Sequence, residues 1–210
     1  MGKATVTLFL MLIVSLFLTS CSGVVTPELQ LDLDEEINKL EETGFVYLDV
    51  PYEKYAGANW CLPASGAMTF KYFGMNISQS QIASKVIING SSSVFRFISF
   101  AKDLGFDTEY KSKTIEEIKV LLEEDIPVIA VQNYSLTLPY SHDRVIIGFD
   151  DEKQEVITND PTAGRDYKIS YSDFLALNFD SNSDKCKIIV LSPEEVDTKN
   201  AELIDNTDNS

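Results

Sequence analysis

The sequence predicts an α+β domain in which helices come first and an antiparallel set of strands follows. Between residues 63 and 124, apolar residues recur at helical spacing behind capping residues. From residue 127 onward, β-branched runs alternate with turn-forming residues. Strands and helices do not alternate regularly along the chain, so a βαβ series with a parallel sheet is not expected.

The predicted helices share an apolar face and a residue that favours a helix start. Two of them begin with capping-box sequences, Ser78 with Gln81 and Thr114 with Glu117, in which each side chain bonds the other residue's backbone. Gly105 is expected to stop the third helix. The predicted ranges are 63–72, 78–86, 93–104 and 114–124, with a small helix capped by Ser172 and running to 177.

The predicted strands are rich in β-branched and aromatic residues and are bounded by turn formers. The turn Asp150–Lys153 joins two of them into a hairpin. The predicted ranges are 45–50, 127–131, 144–149, 155–158, 167–170 and 187–191.

The ends of the chain differ in composition from its centre. Residues 1–20 carry one basic residue, Lys3, and an apolar run that is too short for a comfortable membrane span and typical of a signal peptide. Residues 21–44 are predicted to form an acidic tether, and residues 45–192 one folded domain. Residues 193–210 form an acidic tail without apolar periodicity, which is expected to be disordered.

The apolar run ends at Leu18-Thr19-Ser20-Cys21, which resembles the lipobox of prokaryotic lipoproteins. The resemblance implies cleavage before Cys21 and a lipid on its thiol, which would anchor the chain in the cell envelope, on the extracytoplasmic face of the membrane. An uncleaved anchor helix and a plain secretory signal are the alternatives.

Charge excludes one class of partner. The chain has 17 basic and 33 acidic residues and a formal net charge of −16. Nucleic-acid binding needs a basic footprint, so no nucleic-acid partner is expected. The acidity favours solubility and cationic partners, with a merely solvated surface as the common alternative. The single histidine and scattered carboxylates show no metal-ligand spacing, and there is no glycine-rich phosphate loop. We therefore expect no metal and no cofactor. The protein is also expected to be a monomer.

Two cysteines remain besides Cys21. Cys61 stands at the start of a predicted helix, where free backbone N–H groups and the helix dipole are expected to lower the thiol pKa and favour a nucleophilic thiolate. Cys186 lies in a predicted strand, where a lone cysteine is usually a small buried hydrophobe. Because the compartment is oxidising, a Cys61–Cys186 disulfide is an open alternative.

His142, the only histidine of the chain, precedes the predicted strand 144–149. An imidazole is the usual group that activates a thiol at neutral pH, although a structural or surface histidine is the alternative. In a hairpin, the end of the second strand lies beside the start of the first, so Asp160 is expected near His142. A carboxylate there would hold the imidazole in its working tautomer.

Three segments together resemble the bacteriocin-processing, double-glycine-leader peptidases and their secreted relatives. The resemblance implies a papain-like cysteine peptidase fold, with the nucleophile helix packed on a C-terminal antiparallel sheet, and a peptide or protein substrate. It also implies Cys61 as nucleophile, His142 as general base and acid, and Asp160 as its orienting partner. The segments are Val50-Pro51-Tyr52 with Asn59-Trp60-Cys61-Leu62-Pro63-Ala64-Ser65, Ser141-His142 with Val145-Ile146-Ile147-Gly148-Phe149-Asp150-Asp151, and Val156-Ile157-Thr158-Asn159-Asp160-Pro161.

Two positions depart from the family pattern. Tyr55 stands six residues before Cys61, where the family has a glutamine whose amide helps to form the oxyanion hole, and Leu62 replaces the common glycine. The Tyr55 hydroxyl or the Asn59 amide would have to donate instead, since losing one donor typically costs ~10²–10³ in rate. The transporter domains of bacteriocin processors are not expected.

Three functions follow from these features. The first is a lipid-anchored thiol hydrolase, a peptidase that cleaves peptide or amide bonds through a Cys–His–Asp triad. The second is a catalytically impaired pseudoenzyme that binds peptides or partners. The third is an acyl- or aminoacyl-transferase that passes through the same thioester, because the fold alone does not define the reaction.

Overall fold

The computed structural model describes residues 44–193 of the 210-residue chain. The predicted signal peptide, the lipidation site Cys21, nearly all of the tether and the C-terminal tail lie outside the described residues, and the proposed domain limits stay predictions. Within residues 44–193, no helix combines the length and the apolar character that a membrane crossing requires.

The helices pack against a large antiparallel sheet, as the α+β prediction requires. Five helices are present in the described range. They are α1 (Cys61–Tyr72), α2 (Gln79–Val86), α3 (Val94–Asp103), α4 (Ile115–Glu123) and α5 (Tyr171–Ala176).

Both predicted capping boxes are present. The Ser78 side chain accepts from the Gln81 N–H, and the Gln81 side chain accepts from the Ser78 N–H. Thr114 and Glu117 do the same at the start of α4. The prediction for the last helix is wrong at its start, because Ser170 rather than Ser172 caps α5.

The strands of the described range are β1 (Phe45–Tyr47), β2 (Ile87–Ile88), β3 (Ser91–Ser92), β4 (Phe106–Lys113), β5 (Val128–Asn133), β6 (Ser141–Asp150), β7 (Glu155–Asp160), β8 (Gly164–Ser170) and β9 (Cys186–Pro193). The main sheet has seven strands, all paired antiparallel, in the order β4-β9-β5-β6-β7-β8, and β1 pairs with the C-terminal end of β6. A separate small hairpin consists of β2 and β3.

Gly148 lets β1 cross close to β6. A Cβ atom at this position would lie 2.2 Å from the carbonyl oxygen of Val46, which no real side chain tolerates. The β6–β7 register shifts between Ile146 and Gly148, so a β-bulge lies at the same place. The glycine of the His-containing segment is therefore a requirement of backbone packing rather than of chemistry.

An aromatic cluster joins α1 to its neighbours. The Phe70 ring contacts the rings of Phe97, Phe100 and Phe106, with centroids 5.3–6.1 Å apart. Gly66 allows α1 to approach α3, since a Cβ there would lie 2.5 Å from the Phe97 ring. This packing, together with the contact of α1 on β6, holds the N-terminus of α1 at the start of β6. Buried apolar residues fill the space between helices and sheet.

Candidate active site

Cys61 is the first residue of α1 and is half-buried. Trp60 occupies the N-cap and makes no side-chain capping bond, so the first N–H groups of α1 are left without a helical partner. The approach is a tight turn in which Asn59 has a left-handed φ of 61°. Gly57 is required there, because a Cβ would lie 2.5 Å from the Trp60 indole. The turn therefore presents the thiol at an open helix end.

The surroundings of the thiol nevertheless oppose its ionisation. Burial, as the main cause, and the charges of Asp143 and Asp160 together raise the pKa of Cys61 to about 11. Backbone hydrogen bonds from Asp143 and from Cys61 itself offset only part of this effect. The expectation that the helix start lowers this pKa is wrong, because the partial burial of the thiol and the charges of the two carboxyl groups outweigh the effect of the helix end.

His142 and Asp160 form a direct pair. The His142 Nε2 atom lies 2.9 Å from Oδ1 and 3.0 Å from Oδ2 of Asp160, and both residues are buried. The Tyr134 ring packs edge-on against the imidazole, with centroids 5.2 Å apart. The Nε2 atom is thus committed to the carboxylate, which leaves Nδ1 as the nitrogen available for proton transfer. In the described structure no hydrogen bond joins the imidazole to the Cys61 thiol.

Asp160 is held by several donors. Its Oδ1 accepts the N–H groups of Thr162 at 2.8 Å and Ala163 at 3.0 Å. The Arg144 Nε atom lies 3.3 Å from Oδ2, although its N–H is not aligned for a hydrogen bond. Burial tends to raise the pKa of Asp160, but the bond to His142, the charge of Arg144 and the Ala163 N–H outweigh it and hold the pKa below its ordinary value. Asp160 is therefore a carboxylate at neutral pH.

The β6–β7 hairpin brings this pair together. Asn159, one residue before Asp160, donates through Nδ2 to the Val50 carbonyl at 2.8 Å and accepts the Asp166 N–H at 3.2 Å. The Tyr55 N–H donates to the Pro161 carbonyl at 3.3 Å. These bonds fasten the segment that leads to Cys61 onto the end of β7. The hairpin and the nucleophile segment thus share one rigid corner of the domain.

A cleft of about 890 Å³ opens at this corner. Cys61 and His142 both line it, so the structure brings the candidate nucleophile and base to one solvent-accessible space. Asp160 lies behind His142. The opposite walls are built by the turn before α1, by the β2–β3 hairpin and by the loop between β5 and β6.

The two oxyanion candidates also line the cleft. The Tyr55 side chain is partly exposed, at 38%. The Asn59 amide is already engaged, because its Nδ2 donates to the Gly90 carbonyl at 2.9 Å, and Ser92 binds the Asn59 carbonyl at 3.0 Å. Asn59 therefore ties the turn to the β2–β3 hairpin. The Tyr55 hydroxyl, in contrast, makes no hydrogen bond with another described residue.

Sequence reasoning missed Asp143. The residue is buried and is one of those that line the cleft, its charge acts on the Cys61 thiol, and its Oδ1 has no hydrogen-bond partner among the described residues. Burial raises the pKa of Asp143 to about 7, and the Arg144 charge counters this only in part. The available signal was an acidic residue next to His142 at the start of a strand that otherwise becomes apolar.

Cys61 and Cys186 are both free thiols, so the alternative of a disulfide between them is wrong. Cys186 is buried in β9, and burial raises the pKa of its thiol to about 12. Within residues 44–193, no group of three or more histidine, cysteine or acidic side chains is placed to hold a metal ion.

The fold is that of the papain-like cysteine peptidases, with a cysteine-led helix packed on an antiparallel sheet. A family model described as peptidase C39-like matches residues 47–185, and the chain belongs to that family. No curated protein matches the chain.

Solved structures share this fold at low sequence identity. A C39-like peptidase from Bacillus anthracis is 18% identical, with a TM-score of 0.57 over 71% of this chain and 98% of that one. The peptidase domain of Streptococcus ComA, an ABC transporter of a quorum-sensing pathway, is 20% identical, with a TM-score of 0.54 over 68% and 97%. Xylellain, a cysteine protease from Xylella fastidiosa, is 14% identical, with a TM-score of 0.53 over 71% and 86%.

Proposed function

We propose that the protein is an extracytoplasmic, lipid-anchored cysteine peptidase in which Cys61 attacks, His142 transfers protons and Asp160 orients His142. The observation that carries the proposal is the buried His142–Asp160 pair at the wall of the cleft that Cys61 also lines. The structural and family comparisons supply the coarser class, a C39-like peptidase fold.

The raised pKa of Cys61 affects the proposed mechanism. A neutral resting thiol cannot attack as a preformed thiolate, so His142 Nδ1 takes the thiol proton as the sulfur attacks the peptide carbonyl. The electron pair of the carbonyl moves to oxygen, and collapse breaks the C–N bond while His142 returns the proton to the leaving amine. Water then releases the acid from the thioester. Catalytic hydrogen bonds often tighten only in the substrate complex, which fits the absence of a thiol–imidazole bond here.

The developing oxyanion needs donors near the thiol. The Cys61 backbone N–H, at the open end of α1, supplies one, and the hydroxyl of Tyr55, which lines the same cleft, is the side-chain group that we assign as the second. Asn59 would first have to release Gly90.

A peptide substrate is part of the proposal. One solved neighbour, a double-glycine-motif protease from an AMS/PCAT transporter, was determined in complex with the leader peptide. It is 21% identical, with a TM-score of 0.52 over 70% of this chain and 95% of that one. The cleft of this chain is open and lined largely by polar and aromatic side chains, which suits an extended peptide rather than a small apolar ligand.

Cleavage of a mixed peptide library, read by mass spectrometry, tests the proposal. The full-length protein is expected to release fragments that Cys61→Ala and His142→Ala do not release. Equal cleavage by Cys61→Ala would overturn the assignment of the nucleophile.

A pseudoenzyme is the second candidate, because Cys61 has a raised pKa and makes no bond with His142. Peptide binding by the wild-type protein without any cleavage, and without acylation of Cys61, would favour it.

A further inference from the structure

Asp143 is a buried acid that the proposed mechanism does not use. It follows His142 in β6, and only 6% of its surface is exposed. Its backbone is fixed, because Ser65 of α1 donates to its carbonyl at 3.1 Å. A buried carboxyl oxygen without a partner is costly, and native proteins rarely keep one without a reason.

The neighbouring cation does not satisfy this carboxyl group. Side chains alternate along a strand, so Arg144 extends to the opposite face of β6 from Asp143. There its guanidinium approaches Asp160 and donates to the Tyr134 carbonyl at 3.3 Å. The Arg144 guanidinium therefore lies beside Asp160 rather than beside the Asp143 carboxyl group, and the Asp143 Oδ1 atom is left without a donor.

The cleft supplies no other countercharge. Among the described residues that line it, Asp143 is the only acid, and none is lysine or arginine. Tyr134 and Tyr140 stack on each other at 5.7 Å along one wall, and Tyr55 lies on another. Aromatic faces attract cations, and a single buried carboxylate binds an ammonium or guanidinium group through charge-assisted hydrogen bonds.

We propose that the cleft selects peptides with a lysine or arginine side chain within two residues of the bond that Cys61 attacks, with the Asp143 carboxylate as counter-ion. This rests on the proposed peptidase function and names its substrate class. The strongly negative net charge of the chain, −16, would also draw basic peptides towards it.

Matched peptides test the proposal. N-acetylated library peptides cleaved by the full-length protein are remade with lysine exchanged for norleucine, or arginine for citrulline, at each position within two residues of the bond. The wild-type protein should show a kcat/KM about 10- to 100-fold higher for the charged peptide at one of these positions, the range expected for a charged hydrogen bond. Asp143→Asn should reduce that ratio to near one.

The control is Glu152→Gln, an exposed acid in the turn at the opposite end of β6, which removes the same charge and should keep the full ratio. A wild-type ratio near one at every position, or an undiminished ratio in Asp143→Asn, would overturn the proposal. The same peptide pairs are also measured without the N-acetyl group. A preference that appears only in those peptides would mean that the carboxylate binds a free α-amine, and it would also overturn the proposal.

A binding experiment separates this proposal from the peptidase proposal. In Cys61→Ala protein, fluorescent lysine peptides should bind at least about tenfold more tightly than their norleucine counterparts, by anisotropy. The difference should disappear in the Cys61→Ala, Asp143→Asn double variant. If no peptide is cleaved but this difference in affinity is found, the peptidase proposal fails and the proposed Asp143 site is supported. Equal affinity for the two peptides would contradict the proposed site.

Discussion

The Nε2 atom of His142 lies 2.9 Å and 3.0 Å from the two carboxylate oxygens of Asp160, a residue 18 positions further along the chain. Both side chains are buried, and the backbone N–H groups of Thr162 and Ala163 hold one of the oxygens in place. The imidazole is therefore oriented before any substrate arrives.

Replacement of Asp160 tests whether this orientation matters for activity. Asp160→Ala should lower kcat/KM for a cleaved peptide by about 10²- to 10⁴-fold, because the tautomer and the imidazolium lose their partner. Asp160→Asn should retain more activity, since an amide oxygen can still accept from Nε2. Thermal unfolding of both variants checks that they remain folded. Equal loss in the two variants would assign Asp160 to charge rather than to positioning.

The thiol of Cys61 should be reluctant to ionise. Because burial and two carboxyl groups raise its pKa to about 11, its alkylation rate with iodoacetamide should still climb close to tenfold per pH unit between pH 8 and 10. Asp143→Asn should speed alkylation at a given pH, since the Asp143 charge is one cause of the raised pKa. Peptide mapping separates Cys61 from buried Cys186. A rate that levels off near pH ~8.5, the ordinary thiol value, would contradict the raised pKa.

Asp143 should make the fold less stable as pH rises. Its pKa is about 7 in the folded chain and 3.8 without the fold, so the folded state binds more protons between these values. The free energy of unfolding should fall as pH rises from about 4 to about 7 and then level off, by at most about 4 kcal/mol from this group. Arg144, Cys61 and Tyr110 are the groups coupled to its charge.

Asp143→Asn should remove that decline and be more stable than the wild-type protein at pH 8. Denaturant titrations at several pH values measure the difference, with Glu152→Gln as the control for a lost surface charge. A parallel pH dependence in the wild-type protein and Asp143→Asn would show that the fold does not raise the pKa of Asp143.

Removal of the Cys21 thiol tests the lipid anchor. Cys21→Ala should lose labelling by a fatty-acid analogue and should leave the detergent phase in phase-separation experiments, because lipidation needs this side chain. A wild-type protein without label that stays with membranes would support an uncleaved helix. A wild-type protein found in the aqueous phase would support a plain secretory signal.

Local sequence signals were sufficient for most of the helices. The capping boxes at Ser78 and Thr114 involve residues three positions apart, so they can be read without the fold. Strand β4 was not predicted, because Phe106–Lys113 is largely polar, with no run of β-branched residues. Its pairing with β9, far away in sequence, makes it an edge strand. Such pairing is a property of the tertiary structure.

The site also combines features that local sequence signals predict with features that arise only in the tertiary structure. The proximity of His142 and Asp160 could be predicted, because the Asp150–Lys153 turn indicates a hairpin whose ends bring the two residues together. The electrostatics of Cys61 did not follow, because burial and the approach of Asp143 arise only when α1 packs on β6. A helix start lowers a thiol pKa only where no nearby carboxylate or burial outweighs the dipole.

Intact-mass analysis after treatment with a peptidyl acyloxymethyl ketone tests the central claim most directly, because this reagent alkylates a thiol that a neighbouring base activates. At pH 7 the full-length protein is expected to gain one adduct, mapped to Cys61, and folded His142→Ala is expected to gain none. An adduct on Cys61 that forms equally fast in His142→Ala would contradict the pairing of the two residues, and so would a wild-type protein that gains no adduct.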